Sequence, residues 1–289
     1  MHANANNLIG QSEVEMTPKY RFNADQHLHE LYVNGEWQPL VGTSSAMSVV
    51  AKPLTWWSSG LAVQAFGCPD AKLLTKIKNG KATEKETEQL GYAAAKWLDD
   101  NHFMQSRELI ALWDKAYRAH ATTLKEKAVE GVDLHAELER FIRDQIDGNQ
   151  TPKEYPPEIY PFIQWADANV KTFLWAEAHC YSETHWIGGI SDCGFIDNDG
   201  KSAIIDFKSS KEAYITQFWQ CAGYSLQIAE NGTLDKDGNE IDAYHTKVDY
   251  FAILPFGAKN PVPAINVDVK GCQENFLHAL ALHNAMPKP

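Results

Sequence analysis

The sequence predicts an α/β protein, a core of short strands decorated by an N-terminal helical region. Two observations carry this. Between about 45 and 145 the apolar residues recur mostly at helical spacing, whereas from Thr172 onward short β-prone runs take over, interrupted by one helix and closed by another. A chain of 289 residues, 44% hydrophobic, can also bury a sizeable core as one large domain or two small ones.

Taken in order, residues 1–19 are polar and read as a flexible tail. Residues 20–42 read as a hairpin about Asn34-Gly35, a pair suited to the left-handed angles of a tight turn. Pro53-Leu54-Thr55-Trp56-Trp57 opens a helix running through Ala65, and Thr83–Leu98 and Ser106–Ala128 read as further helices. Over 131–146, Leu134, Leu138, Phe141 and Ile142 share one helical face. Tyr155-Pro156-Pro157 breaks the chain, and helix resumes over Ile159–Val170. Strands follow at 173–181, 186–196 and 202–208, the last two joined by the turn Asp197-Asn198-Asp199-Gly200. A helix at about 213–229, a polar segment at 231–246, strands near 248–254 and 263–268 and a helix near 273–286 complete the chain. Asp235-Lys236-Asp237-Gly238-Asn239 carries calcium-loop residue types, but its Gly is out of place and the twelfth-position Glu is missing, so it reads as a hairpin turn. The chain divides into a tail (1–19), a hairpin and helical region (20–130) and a core (131–289), with the last two forming one compact domain.

No stretch approaches the roughly 20 apolar residues of a membrane span. The start Met1-His2-Ala3-Asn4-Ala5-Asn6 lacks a basic segment followed by an apolar one, so the expectation is a cytosolic protein. Cysteines 68, 180, 193, 221 and 272 are odd in number and widely spaced, which argues against a disulfide framework or zinc ribbon and for Cys193 and Cys221 as small buried residues. The formal charge of -12 opposes nucleic-acid binding globally, but Lys201, Lys208 and Lys211 cluster locally. Lys115, Arg118, Lys125 and Lys127 form a second group that reads equally as solvated helix surface.

Four constellations could carry chemistry. His135 and Glu139 are four apart and share a helical face, where an imidazole could ligate a metal and a carboxylate orient it. Glu177 stands in the apolar strand Phe173-Leu174-Trp175-Ala176, either as an edge residue in solvent or as a metal or water contact. Gly189-Ile190-Ser191-Asp192 and Asp206-Phe207-Lys208 lie on strands that a short hairpin can bring together. Asp206 and Lys208 then share one strand face, with Ile205 and Phe207 turned into a core. Paired carboxylates suit Mg²⁺ or Mn²⁺, and a lysine beside them can orient a hydroxide and offset charge on a phosphate. Gln220 and Tyr224 are four apart on the following helix and face the same way.

His135 with Glu139, Glu177, Gly189 with Asp192, Asp206-Phe207-Lys208 and Gln220 with Tyr224, in that order and spacing, resemble the PD-(D/E)xK nucleases. The most similar branch is the RecB-like one, which includes phage-type exonucleases and the mitochondrial genome-maintenance exonuclease. The resemblance covers about 131–254; more loosely, Ser48–Trp57 is similar to an N-terminal helix of the phage members. It implies a restriction-endonuclease-like core, a short mixed central sheet flanked by helices. It implies His135, Asp192, Asp206 and the carbonyl of Phe207 as ligands of Mg²⁺ or Mn²⁺, with Lys208 positioning the attacking water. Glu177 would hold a water or a second ion, Glu139 would orient His135, Gln220 would steady the lysine, and Tyr224 would face the DNA backbone. Lys211, Trp56 and Trp57 would touch DNA, and the helical region could thread a strand by stacking. The implied function is a DNA exonuclease acting on single-stranded or duplex ends in recombination, repair or replication, in an intracellular, phage-type setting. An endonuclease of the same fold and a catalytically silent DNA-binding accessory protein stand as alternatives. Asp206 stands where relatives often carry Glu. Some relatives hold an iron–sulfur cluster with four cysteines, but only Cys272 lies near the C-terminus here, so no such cluster is expected.

Overall fold

The computed structural model describes residues 19–50, 55–65, 67–101, 116, 134–148, 154–242, 247–259 and 261–286. Strands β1 (Tyr20–Asn23), β2 (Leu28–Val33) and β3 (Glu36–Pro39) form a small antiparallel sheet. Asn34 and Gly35 join β2 to β3 at φ +55° and +87°, the left-handed pair that their sequence anticipates. Next come β4 (Val41–Gly42), α1 (Thr43–Met47), a 3-10 turn (Ser48–Val50), α2 (Thr55–Ala65), α3 (Ala71–Lys78), α4 (Glu84–Asn101) and α5, helical over 134–146. After a second 3-10 turn (Pro157–Ile159), α6 (Tyr160–Asn169) leads into β5 (Val170–Ser182), β6 (Ile187–Asp197) and β7 (Ser202–Lys208). The chain continues through α7 (Ile215–Asn231), β8 (Thr233–Leu234), β9 (Glu240–Asp242), β10 (Tyr250–Pro255), β11 (Ala264–Asn266) and α8 (Val269–Ala285). Among the described residues, α3 and β4 are absent from the sequence expectation, and β1 makes the expected hairpin three-stranded. The expected helix over Ser106–Ala128 and the tail lie outside the described residues, except for Ala116, which is helical, and Lys19.

The central sheet is mixed, in the order β11-β10-β7-β6-β5-β8-β9, and β4 adds to β6. Strands β5, β6 and β7 are successively antiparallel, whereas β10 lies parallel to β7 after the α7 crossover. Both faces are covered. One apolar cluster joins the sheet to α1, α7 and α8 through Met47, Phe218, Ile228 and Phe276. The other joins it to α5 and α6 through Leu138, Phe141, Ile142 and Phe162. This double burial explains why β7 and β10 read as nearly continuous apolar runs. In β7, Ala203, Ile205 and Phe207 enter the second cluster and Ile204 the first, so Asp206, two residues on from Ile204, is carried to the α7 face. The front of the chain is tied to this core, with Tyr20 stacked on Tyr181 at 5.1 Å and Val41 N–H donating to the Trp186 carbonyl. The β8–β9 turn is a hairpin, as expected: Asp235 Oδ1 accepts from the N–H groups of Asp237 and Asn239.

Two irregularities position the site. The first is a split along one edge of β6, which pairs with β4 at Ile187 and Gly188 and with β7 from Cys193 to Ile196. Residues 189–192 pair with neither of these strands. The second is a break in alternation. Trp175 and Ala178 face the α7 cluster while Ala176 faces the other, and Ile187 and Cys193, six apart, face opposite clusters. Such reversals need a bulge or a local twist. Ladder pairs Ala176–Cys193 and Ala178–Ser191 bracket Glu177 and Asp192, and Glu177 takes φ +52°, a left-handed conformation uncommon for a non-glycine residue.

Candidate functional site

A cavity of about 390 Å³ opens at the split in β6. Gly189, Ile190 and Asp192 line its floor, Phe207, Lys208 and Ser209 one side, and Gly42, Thr43, Ser44 and Ser45 the other. His135 reaches it from α5, Gln220 and Tyr224 from α7, and His27 and His29 from the β1–β2 region. His135, Asp192, Asp206, Phe207, Lys208, Gln220 and Tyr224, separated by up to 89 positions, therefore line one cavity.

Asp192 is the hub of the first group. Its Oδ2 accepts from Phe207 N–H at 2.6 Å and lies 3.3 Å from His135 Nε2. The His135 ring is held edge-on by Phe207 and Phe256, at 5.8 and 5.4 Å. The Lys208 carbonyl accepts from Phe256 N–H on the β10 side. Carbonyls alternate along a strand, so the Phe207 carbonyl points toward β6 and Asp192, beyond the last β6–β7 pair.

Asp206 and Lys208 form the second group, Lys208 Nζ lying 2.7 Å from Asp206 Oδ2. Asp206 is 1% exposed and the Lys208 side chain 26%, so the ammonium stands between the buried carboxylate and the cavity. Burial raises the Asp206 pKa more than the Lys208 charge lowers it, and Asp192 raises it further. Burial alone would lower that of Lys208, but Asp206 and Asp192 outweigh it and hold the lysine charged. The contact is close yet off the line of a hydrogen bond, which leaves Asp206 Oδ2 a buried acceptor without an aligned donor.

Glu177, on β5, does not line the cavity but lies near enough to feel the charges of Asp192 and Glu139. Burial, reinforced by Asp192 and Glu139, pushes its pKa up to about 7, against the weaker pull of His135 and Arg143. Glu139 is engaged by Arg143, whose Nε donates to its Oε1 at 2.7 Å while Nη2 donates to the Ala176 carbonyl at 3.1 Å. This geometry makes Glu139 the counter-ion of an arginine that clamps β5 next to Glu177.

On α7, Gln220 Nε2 donates to Tyr224 OH at 2.6 Å and to Ser44 Oγ at 3.0 Å. Tyr224 is buried and packs over Gly189, where a Cβ would lie 2.7 Å from Tyr224 Cε1 and 2.7 Å from Thr43 Oγ1. Only glycine lets helix and strand approach this closely. Lys211 is exposed on the loop after β7 and does not line the cavity. Trp56 and Trp57 fall in α2, but their side chains lie outside the described residues. Thr43, Ser44, His27 and His29 belong to no motif in the sequence; the Gly188-Gly189 pair inside a strand is the signal that other backbone approaches there.

Among the described residues, no three His, Cys, Asp or Glu side chains form a cluster able to hold a metal ion. The reason is local, since Asp192 is bonded to Phe207 N–H and Asp206 is in contact with Lys208. The donor chemistry nonetheless fits a small hard cation: two carboxylates, an imidazole and a carbonyl directed to the same side, with one buried anionic oxygen lacking an aligned partner. No protein-family model and no curated protein matches the chain.

Proposed function

We propose that this protein is a divalent-metal-dependent DNA exonuclease with a restriction-endonuclease-like core. The observation that carries the reading is the convergence of His135, Asp192, Asp206, Phe207 and Lys208 on one cavity, from α5, β6 and β7. Asp192, Asp206, His135 and the Phe207 carbonyl would hold Mg²⁺ or Mn²⁺. That ion, when bound, supplies Lewis acidity toward a phosphate oxygen and lowers the pKa of water. Lys208, freed from its close contact with Asp206, orients the attacking water and offsets charge developing on the phosphate. Glu177, with its pKa near neutrality, holds a water or a second ion and can accept a proton at its carboxylate. Gln220 and Tyr224 steady the cavity wall facing the DNA backbone, and Lys211, exposed outside the cavity, would touch DNA beyond it. The resemblance to RecB-like nucleases favours DNA ends as substrate and an intracellular setting; no helix among the described residues is long and apolar enough to cross a membrane.

The test is digestion of end-labelled linear DNA and covalently closed circular DNA in Mg²⁺ or Mn²⁺, with and without excess EDTA. The reading expects metal-dependent loss of the linear form only. Opening of the circle would replace it with an endonuclease, and a mobility shift without products would replace it with a silent binding protein. Full activity in EDTA would remove the metal.

A further inference from the structure

We propose that His29 is a substrate-contacting residue of this cavity, a neutral imidazole whose Nε2–H, fixed by Tyr20, donates to a backbone phosphate oxygen of the bound strand. This rests on the nuclease reading for its ligand, but the tautomer is argued from geometry alone.

Tyr20 OH lies 2.6 Å from His29 Nδ1 and 3.1 Å from His179 Nδ1. A phenol has one proton, and Tyr20 OH has no other hydrogen-bond partner among the described residues, so the proton goes to one ring and the other ring donates. The shorter contact has the length of a bond donated by O–H, and the longer that of one donated by a ring N–H. Tyr20 therefore donates to His29 Nδ1, and His179 Nδ1–H donates to Tyr20. His29 must then carry its own proton on Nε2. Tyr20 is 1% exposed, stacked on Tyr181 and His29, while Phe22 packs at 4.9 Å from His29, so the relay cannot swing freely.

His29 stays neutral because burial, with His179 and His27 nearby, lowers its pKa to about 3. Its Nε2 makes no hydrogen bond among the described residues. The only buried side-chain polar atoms there without a partner are Asp206 Oδ2 and Gln227 Oε1, so Nε2 is reached by solvent, and His29 lines the cavity. An open donor on a wall shared with Thr43, Ser44 and Ser45 asks for an acceptor.

Its place sets which acceptor. His29 packs against Gly188, where an added Cβ would meet it at 2.5 Å. Gly188 is four strand residues from Asp192, roughly 13 Å at about 3.3 Å per residue. His29 thus stands at the end of the cavity away from Asp192, which suits a phosphate beside the one being cleaved rather than that phosphate itself. The contact therefore acts on binding rather than on the chemical step.

The test is two-bond ¹H–¹⁵N correlation on the full chain labelled with ¹⁵N-histidine, together with steady-state kinetics. His29 should show the neutral Nε2–H pattern from pH 5 to 8, and Tyr20→Phe should mix the two tautomers. Adding a short thymidine oligonucleotide with Ca²⁺ should shift the His29 Nε2 resonance. His29→Leu should raise KM about tenfold with little change in kcat, the scale of one lost hydrogen bond, and His29→Gln should raise it less because it keeps a neutral N–H. A charged or Nδ1–H ring, an Nε2 resonance unmoved at saturating oligonucleotide, or a loss confined to kcat would each overturn the proposal. A wild-type protein that cleaves no DNA would overturn the nuclease reading and the contact with it, while the spectrum would still report the tautomer.

Discussion

Glu177→Gln should stabilise the protein at pH 8 far more than at pH 5. Burial, with Asp192 and Glu139 close by, lifts the Glu177 carboxyl from its ordinary 4.5 to about 7. A raised carboxylate pKa means that the folded state holds its proton where the unfolded chain has lost it. Its contribution to stability is therefore greatest below pH 4.5 and declines as pH rises through the window to about 7. At about 1.4 kcal/mol per pH unit, the full loss is about 3 kcal/mol, of which about 2.5 kcal/mol falls between pH 5 and 8. Glutamine does not titrate and keeps the side-chain shape. The assay is urea unfolding of wild type and variant in EDTA at both pH values. The advantage of the variant should grow by that amount at pH 8, and Mg²⁺ should shrink it by supplying countercharge. An equal difference at both pH values would refute the crowding of Glu177 with Asp192 and Glu139. Activity should move oppositely, because the same carboxylate is assigned to hold a water or an ion.

Gly189→Ala should cost about 1–3 kcal/mol, since its methyl would sit 2.7 Å from both Thr43 Oγ1 and Tyr224 Cε1; thermal unfolding measures it, and an unchanged midpoint would mean that β6 and α7 are not in contact there. Lys208→Ala should cut cleavage by orders of magnitude while DNA binding survives in a gel-shift assay; near-normal turnover would void the site. His135→Ala should be partly rescued by raised Mn²⁺, whereas Asp192→Asn and Asp206→Asn should not, because a neutral ligand contributes less attraction to a hard cation than a carboxylate does; rate against Mn²⁺ concentration decides it.

The sequence read best where structure is local. The β6–β7 hairpin follows from a period of two and from Asp197, whose Oδ1 accepts from the N–H groups of Asp199 and Lys201 to close the turn. The shared face of Asp206 and Lys208, opposite Ile205 and Phe207, follows from the same period. Helix α7 was legible but begins at Ile215, because Tyr214 and Gln217 cap it. What escaped is non-local or conformational. Strand β4 is two residues long and exists only by pairing with Ile187 and Gly188, well over a hundred positions away. The left-handed backbone of Glu177 has no sequence signature, since glutamate is a poor candidate for that angle. The Tyr20–His29–His179 relay depends on two sheets meeting, which no spacing announces.

These failures gather at the cavity, and for one reason. A regular sheet would have continued β7 or β4 along residues 189–192, pairing their backbone and filling the space. Past Cys193 the Phe207 N–H goes to the Asp192 side chain, a carboxylate standing where a β6 carbonyl would otherwise sit. Each departure costs stability: a left-handed glutamate, a buried aspartate with an oxygen that lacks an aligned donor, and a carboxyl crowded by Asp192 and Glu139. Strain of about 1–3 kcal/mol per such residue persists only where the surroundings over-determine it. Here they do so from both faces of the sheet, with Phe207, Phe162 and Phe141 packed on one side and Tyr224, Phe276 and Thr43 on the other. A countercharge entering the cavity would relieve the crowding that the fold tolerates. The destabilised carboxylates thus give the proposed cationic occupant a physical argument that does not depend on the order of motifs along the chain.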